Sequence, residues 1–127
     1  MNISLDWYDP DRTLLYMRLE GSWEMGVSRG GIEEFKQRVR EVPHRVDLIA
    51  QALDKNSMSP PVWALRLGIY GIVSAPPNTG FIVMVPNSLM MLALAHAGVR
   101  ILGDGYAGRI HTAATFDDAR RLIEASR

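Results

Sequence analysis

Hydrophobic and polar residues alternate at the start of the chain, where Ile3, Leu5 and Trp7 are separated by Ser4 and Asp6. A period of two marks a half-buried strand. Asp9-Pro10-Asp11-Arg12 then supplies turn chemistry, because Pro10 presets φ and an aspartate side chain can accept from nearby backbone N–H groups. Thr13 to Glu20 resumes the alternation with Leu15, Met17 and Leu19 on one face. The two runs predict an antiparallel hairpin. Gly21 to Gly31 reads as a looser stretch. Beyond it the period lengthens: Ile32, Phe35, Val39 and Val42 predict a helix that Pro43 stops, with Glu33 and Glu34 early and Arg38 and Arg40 late, as the helix dipole favours.

Val46 to Leu53 is apolar and β-branched enough for a buried strand, bounded by Asp54-Lys55-Asn56-Ser57. Ser59 before Pro60-Pro61 predicts an N-cap followed by proline at the first helical position. That helix carries Val62, Leu65, Ile69 and Ile72 and ends before Pro76-Pro77-Asn78, with Gly68 and Gly71 against it in propensity. Phe81 to Val85 predicts a strand covered on both faces. Asn87 or Ser88 caps a further helix that Gly98 closes. Ile110 to Ala114 predicts a last strand, and Thr115-Phe116-Asp117-Asp118 a capped helix on Phe116, Ala119 and Ile123. The order β-β-α-β-α-β-α-β-α predicts one α/β domain over residues 1–127, with a mixed, mostly parallel sheet, an N-terminal hairpin and flanking helices.

Composition removes several functions. With 47% apolar and 22% charged residues in 127, the chain is neither disordered nor fibrous. Fourteen Lys plus Arg balance fourteen Asp plus Glu, against the basic excess that phosphate-driven nucleic-acid binding needs. Arg38, Arg40, His44 and Arg45 do gather near one helix end, but Glu41 and Asp47 dilute them. Without cysteine there is no disulfide, thiolate nucleophile or Cys-containing zinc site. Met1 to Trp7 has neither a basic nor an apolar leader pattern, and no apolar run approaches the roughly 18 to 20 residues of a membrane span. The expectation is a soluble, cytoplasmic protein without a membrane span.

The C-terminal third combines the apolar strand Phe81-Ile82-Val83-Met84-Val85, the Leu89 to Gly98 helix, Val99-Arg100-Ile101-Leu102, a last strand and the Thr115-Phe116-Asp117-Asp118-Ala119 helix start. With the element order, this resembles the STAS domain (sulfate transporter and anti-sigma-factor antagonist; SpoIIAA-like fold) over nearly the whole chain. The resemblance implies a non-enzymatic regulatory or protein-interaction module whose partner is a kinase or another regulatory protein. In antagonist members a phosphorylated serine follows the third strand. The matching stretch here is Asp54-Lys55-Asn56-Ser57-Met58-Ser59-Pro60, so Ser57 and Ser59 become candidate phosphosites, although Met58, Pro60 and Pro61 replace the usual small-residue helix start. A phosphate there would meet a helix N-terminus; turn and cap roles explain the same serines. The fold is also related to lipid-carrier domains, which keeps open a carrier or sensor of a small apolar ligand.

Other motifs carry less. Gly103-Asp104-Gly105-Tyr106-Ala107-Gly108 fits G-x-G-x-x-G but precedes a strand, so no helix dipole is set to meet a phosphate and a loop is the expectation. His44, His96 and His111 lack metal-ligand spacing. No nucleophile elbow exists, and Glu33-Glu34 and Asp117-Asp118 fit dipole roles better than acid–base catalysis. No catalytic residue, metal or cofactor is expected. The Leu89 to Ala97 helix is apolar nearly all round, so Met90, Met91 and Leu94 exceed what one sheet face can cover. With Trp63 and Tyr70 of the preceding helix they form a candidate interface or apolar pocket, and the surplus predicts a homodimer.

Overall fold

The computed structural model describes residues 1–53, 61–88 and 109–127. Among these residues five strands lie side by side in chain order: β1 (Asn2–Trp7), β2 (Leu14–Glu20), β3 (Val46–Ala52), β4 (Thr79–Val85) and β5 (Ile110–Thr112). β1 and β2 are antiparallel, and the other three pairings are parallel. The described helices are α1 (Met25–Arg40), α2 (Val62–Val73) and α3 (Phe116–Ala125). This is an α/β fold with a mixed sheet and an N-terminal hairpin. The expected helix at Leu89 to Ala97, with Met90, Met91, Leu94 and His96, lies outside the described residues. So do Ser57, Ser59 and the Gly103 to Gly108 motif.

The hairpin turn is built around Asp9. Its carboxylate accepts from the backbone N–H of Thr13 and of Leu14, each at 2.9 Å, and from the Thr13 hydroxyl. Burial alone would raise this carboxyl, but the Thr13 hydroxyl and the Leu14 and Thr13 backbone donors outweigh it and hold Asp9 below the usual carboxylate range. Arg12 closes the turn in the left-handed region at φ 57°.

Side chains leave the sheet alternately, and each face has its own core. On one face Leu5, Leu15, Met17, Leu48 and Ile82 pack with Phe35 and Val39 of α1, and Ile72 of α2 adds to them. On the other, Leu14, Ile49, Val83 and Val85 pack against Ala119 and Ile123 of α3. Leu15, Ile49 and Val83 are fully buried, and at about 1.5–3 kcal/mol per large side chain such residues dominate the favourable side of folding.

Two helix starts differ from expectation. α1 begins at Met25 rather than near Ile32, taking in Gly26, Gly30 and Gly31. Packing outweighs propensity there: a Cβ on Gly31 would stand 3.1 Å from Ile3 Cδ1, so the glycine lets α1 approach β1 closely. The shift also puts Glu33 and Glu34 mid-helix and leaves no acid in the first turn, while Arg38 and Arg40 remain in the last. α2 begins at Val62, with Pro61 in extended backbone at the cap position and no side-chain cap bond; the expected cap, Ser59, lies outside the described residues. Thr115 does cap α3, its hydroxyl accepting from Asp118 N at 3.1 Å.

Candidate functional site

α2 is the least polar described helix, yet only Ala64 and Gly71 of its residues are buried. Helical spacing aligns Val62, Leu65, Ile69 and Val73 on the side away from those two. Val62 is 65% exposed and Val73 52%, with Leu65 also exposed and Ile69 half-buried. One charge, Arg66, breaks the stripe. α2 can turn apolar residues outward because its inner face needs little side chain. Gly71 brings it against α1, where a Cβ would lie 3.2 Å from Ile32 Cγ2.

One flank of the stripe is polar. Lys36 of α1 is 5% exposed, and its Nζ donates to the Tyr70 hydroxyl at 3.2 Å. The same ammonium lies 4.8 Å from the Tyr70 ring centroid and 3.6 Å from Glu33 Oε1. The Tyr70 hydroxyl in turn donates to Glu33 at 3.4 Å. A buried ammonium needs such compensation, and the three side chains tie α1 to α2 through polar contacts beside the exposed stripe.

Of the residues expected to form an interface or pocket, Trp63 is half-buried and Tyr70 is 48% exposed, so the structure puts Tyr70 at the surface and engages it with Lys36. Lys36 was not among the candidates; a cation between Phe35 and Val39 in an apolar helical pattern was the only signal.

A second polar cluster is more enclosed. Asp47 is fully buried. Its Oδ1 accepts from Phe81 N at 2.7 Å and Arg45 Nε at 3.0 Å, and its Oδ2 accepts from Arg127 Nη2 at 2.8 Å. Arg45 also donates to the Ser126 hydroxyl at 2.7 Å, and Arg127 to Thr13 O at 3.0 Å. Gly80 leaves the room, since a Cβ there would run into Arg45 Nε and Asp47 Oδ1. The cluster joins β3, β4, the residues after α3 and the start of β2. Every oxygen of the carboxylate is engaged by a cation, so it holds the sheet and helix together and has no free acceptor for a ligand. Asp47 therefore does not simply dilute a basic surface; it takes up Arg45.

On the α3 face, Tyr8, Phe116 and Tyr16 stack in a row, Tyr8 to Phe116 at 5.2 Å and Tyr16 to Phe116 at 4.6 Å between centroids. Arg120 lies 4.9 Å over the Tyr8 ring and Arg18 5.8 Å over Tyr16. Burial raises the Tyr16 hydroxyl above its ordinary range, Arg18 partly opposing, and that hydroxyl donates to Gln51 Oε1. A shallow cleft of about 100 Å³ opens beside Tyr8 and Arg120. It is too small for a drug-sized ligand, which takes about 300 Å³ or more.

His44 Nε2 sits 2.9 Å from Arg12 O, and His111 lies on β5 with its ring 4.3 Å from that of Phe81. Among the described residues no three His, Asp or Glu side chains come together as a metal set, and no helix is long and apolar enough to cross a membrane. No protein-family model matches the chain, and comparison with curated proteins and with solved structures gives no match either.

Proposed function

We propose that this chain is a non-enzymatic, cytoplasmic protein-interaction module of STAS type that docks a regulatory partner through the outer face of α2. The observation that carries this reading is the row of exposed Val62, Leu65 and Val73 with half-buried Ile69, on a helix packed against α1. Exposed apolar rows of this kind mark docking surfaces. Arg66 within the row and Glu33 at its flank give the partner a polar register to match. The strand–helix order expected from the STAS resemblance agrees with the described elements, which supports the kinship. A phosphate on Ser57 or Ser59, five and three residues before Val62, would add negative charge close to the docking row and change its affinity.

The test places a photo-crosslinking amino acid at Leu65 in the native cells. The expected result is one discrete adduct with a second protein, abolished by Val73→Arg and altered in yield by Ser57→Asp plus Ser59→Asp. Absence of a discrete adduct, or an adduct that survives Val73→Arg, overturns the docking row. Native mass spectrometry of the endogenous protein covers the carrier alternative, because a retained apolar ligand would replace the interaction reading.

A further inference from the structure

Among the described strands, β1 stands at one end of the sheet and pairs with β2 alone. Its hydrogen-bond direction follows from two sets of bonds. Tyr8 N donates to Leu14 O, so in this antiparallel register Tyr8, Asp6, Ser4 and Asn2 direct their backbone groups at β2. Thr13 O, just before β2, accepts from Asp47 N of β3, and Leu19 O accepts from Leu53 N just past β3, so the odd-numbered residues of β2 face the other way. The N–H and C=O groups of Ile3, Leu5 and Trp7 therefore point away from β2, and no described strand lies on that side.

Exposed edges are ordinarily blunted by proline, lysine, a bulge or a covering element. β1 has neither proline nor lysine, and its register with β2 runs unbroken from Asn2↔Glu20 to Trp7↔Leu15. Its one charge, Asp6, is already paired with Arg18 on the neighbouring strand at 3.4 Å. The edge is nearly neutral, and no described strand pairs with it.

We propose that the β1 edge is a pairing surface for a second copy of this chain, joining the two sheets antiparallel across a two-fold axis at Ser4. The pleat restricts the choice of register. A two-fold strand pair must keep Ile3, Leu5 and Trp7 on the face covered by α1, so odd-numbered residues can oppose only odd-numbered ones. Centring on Ser4 sets Ile3 opposite the partner's Leu5, Asn2 opposite the partner's Asp6, and Ser4 opposite the partner's Ser4. The outward groups of Ile3 and Leu5 then exchange N–H···O=C bonds across the axis. Apolar meets apolar, and an amide donor meets a carboxylate on both sides of the axis. No like charges oppose each other. Self-complementarity of this kind is what a two-fold interface requires. This surface is separate from the α2 row, so it goes beyond the proposed function and stands or falls independently.

The test is a charge swap at the axis, read by light scattering and native mass. The wild-type chain is expected at twice its 14.2 kDa mass. Ser4→Lys and Ser4→Glu each place like charges face to face and are expected to run at the single-chain mass, while an equimolar mixture returns to the double mass. Circular dichroism confirms that both variants fold. Amide exchange needs no substitution and checks the same edge: protection of the Ile3 and Leu5 N–H groups should rise with protein concentration. A monomeric wild type, variants that remain dimeric alone, or concentration-independent exchange at Leu5 overturns the proposal. The α2 variant Val73→Arg should leave the mass unchanged, which separates failure here from failure of the docking row.

Discussion

Arg127 and Asp47 meet across 80 residues of chain, Nη2 donating to Oδ2 at 2.8 Å where the carboxylate is fully buried. Asp47→Ala orphans the Phe81 N–H and unpairs both guanidinium groups, and is expected to cost about 3–5 kcal/mol. Arg127→Met leaves Arg45 in place and should cost about 1.5–3 kcal/mol, the range for a bond to a charged group. Urea unfolding with an unchanged slope reads both. Equal losses for the two variants would show that Arg45 contributes nothing.

The hairpin should respond to acid through Asp9. Its carboxyl lies below the ordinary range in the folded chain. A depressed carboxyl contributes stability that is present above the unfolded pKa and is lost as pH falls through the folded one. Asp9→Asn keeps one neutral acceptor but loses the charge and the second acceptor oxygen, and is expected to cost about 1 kcal/mol at neutral pH. The gap between wild type and variant should begin to close below about pH 4, where unfolded aspartate takes its proton, and vanish as the folded carboxyl follows at lower pH. A gap independent of pH between 7 and about 3 contradicts the assignment.

Glycine positions in α1 separate propensity from packing. Gly30 has open space where a Cβ would go, so Gly30→Ala should stabilise by about 0.5–1 kcal/mol. Gly31 gains the same propensity, but its Cβ would press on Ile3 Cδ1 and Cγ2 at 3.1 and 3.2 Å. Gly31→Ala is therefore expected to fall short of Gly30→Ala in melting temperature. If the two rise equally, Ile3 yields freely and the close approach of α1 to β1 has no packing basis.

Tyr70→Phe keeps the ring over Lys36 and removes the hydroxyl that the ammonium donates to; the expected loss is about 1 kcal/mol. Lys36→Met removes the buried charge altogether and should leave stability within about 1 kcal/mol of wild type or above it. Thermal unfolding of both variants checks the order. A larger loss for Lys36→Met would make the ammonium itself the stabilising group.

Much of the fold was legible because its strands have strong local signatures. Ile3, Leu5 and Trp7 alternate cleanly, Asp9-Pro10 marks the turn, and Thr115 announces α3 three residues ahead of the N–H it caps. Where an element depends on a distant neighbour, the sequence misled. Gly26, Gly30 and Gly31 look like a loop until Ile3 is seen to occupy the space a side chain at Gly31 would need. Asp47 shows the same limit, since nothing local reveals that Arg127 reaches it. Its one hint was a carboxylate inside the otherwise apolar Val46 to Ile49 run. At the candidate site, Tyr70 was recognisable as an aromatic on an apolar helix, whereas its tie to Lys36 depends on how two helices cross.

The sequential arrangement β1-β2-β3-β4-β5 bears on how the molecule forms. No described strand has to be inserted between two that are already paired, so the sheet can grow from one side as chain becomes available. Among the described strands the hairpin is the one pairing closed by a tight turn, and it provides the template on which β3 and then β4 lay down. Closing short loops before long ones keeps the entropic barrier of each step low. Growth of this kind would show in pulse-labelled refolding as amide protection acquired in chain order, from Leu14 toward Ile110.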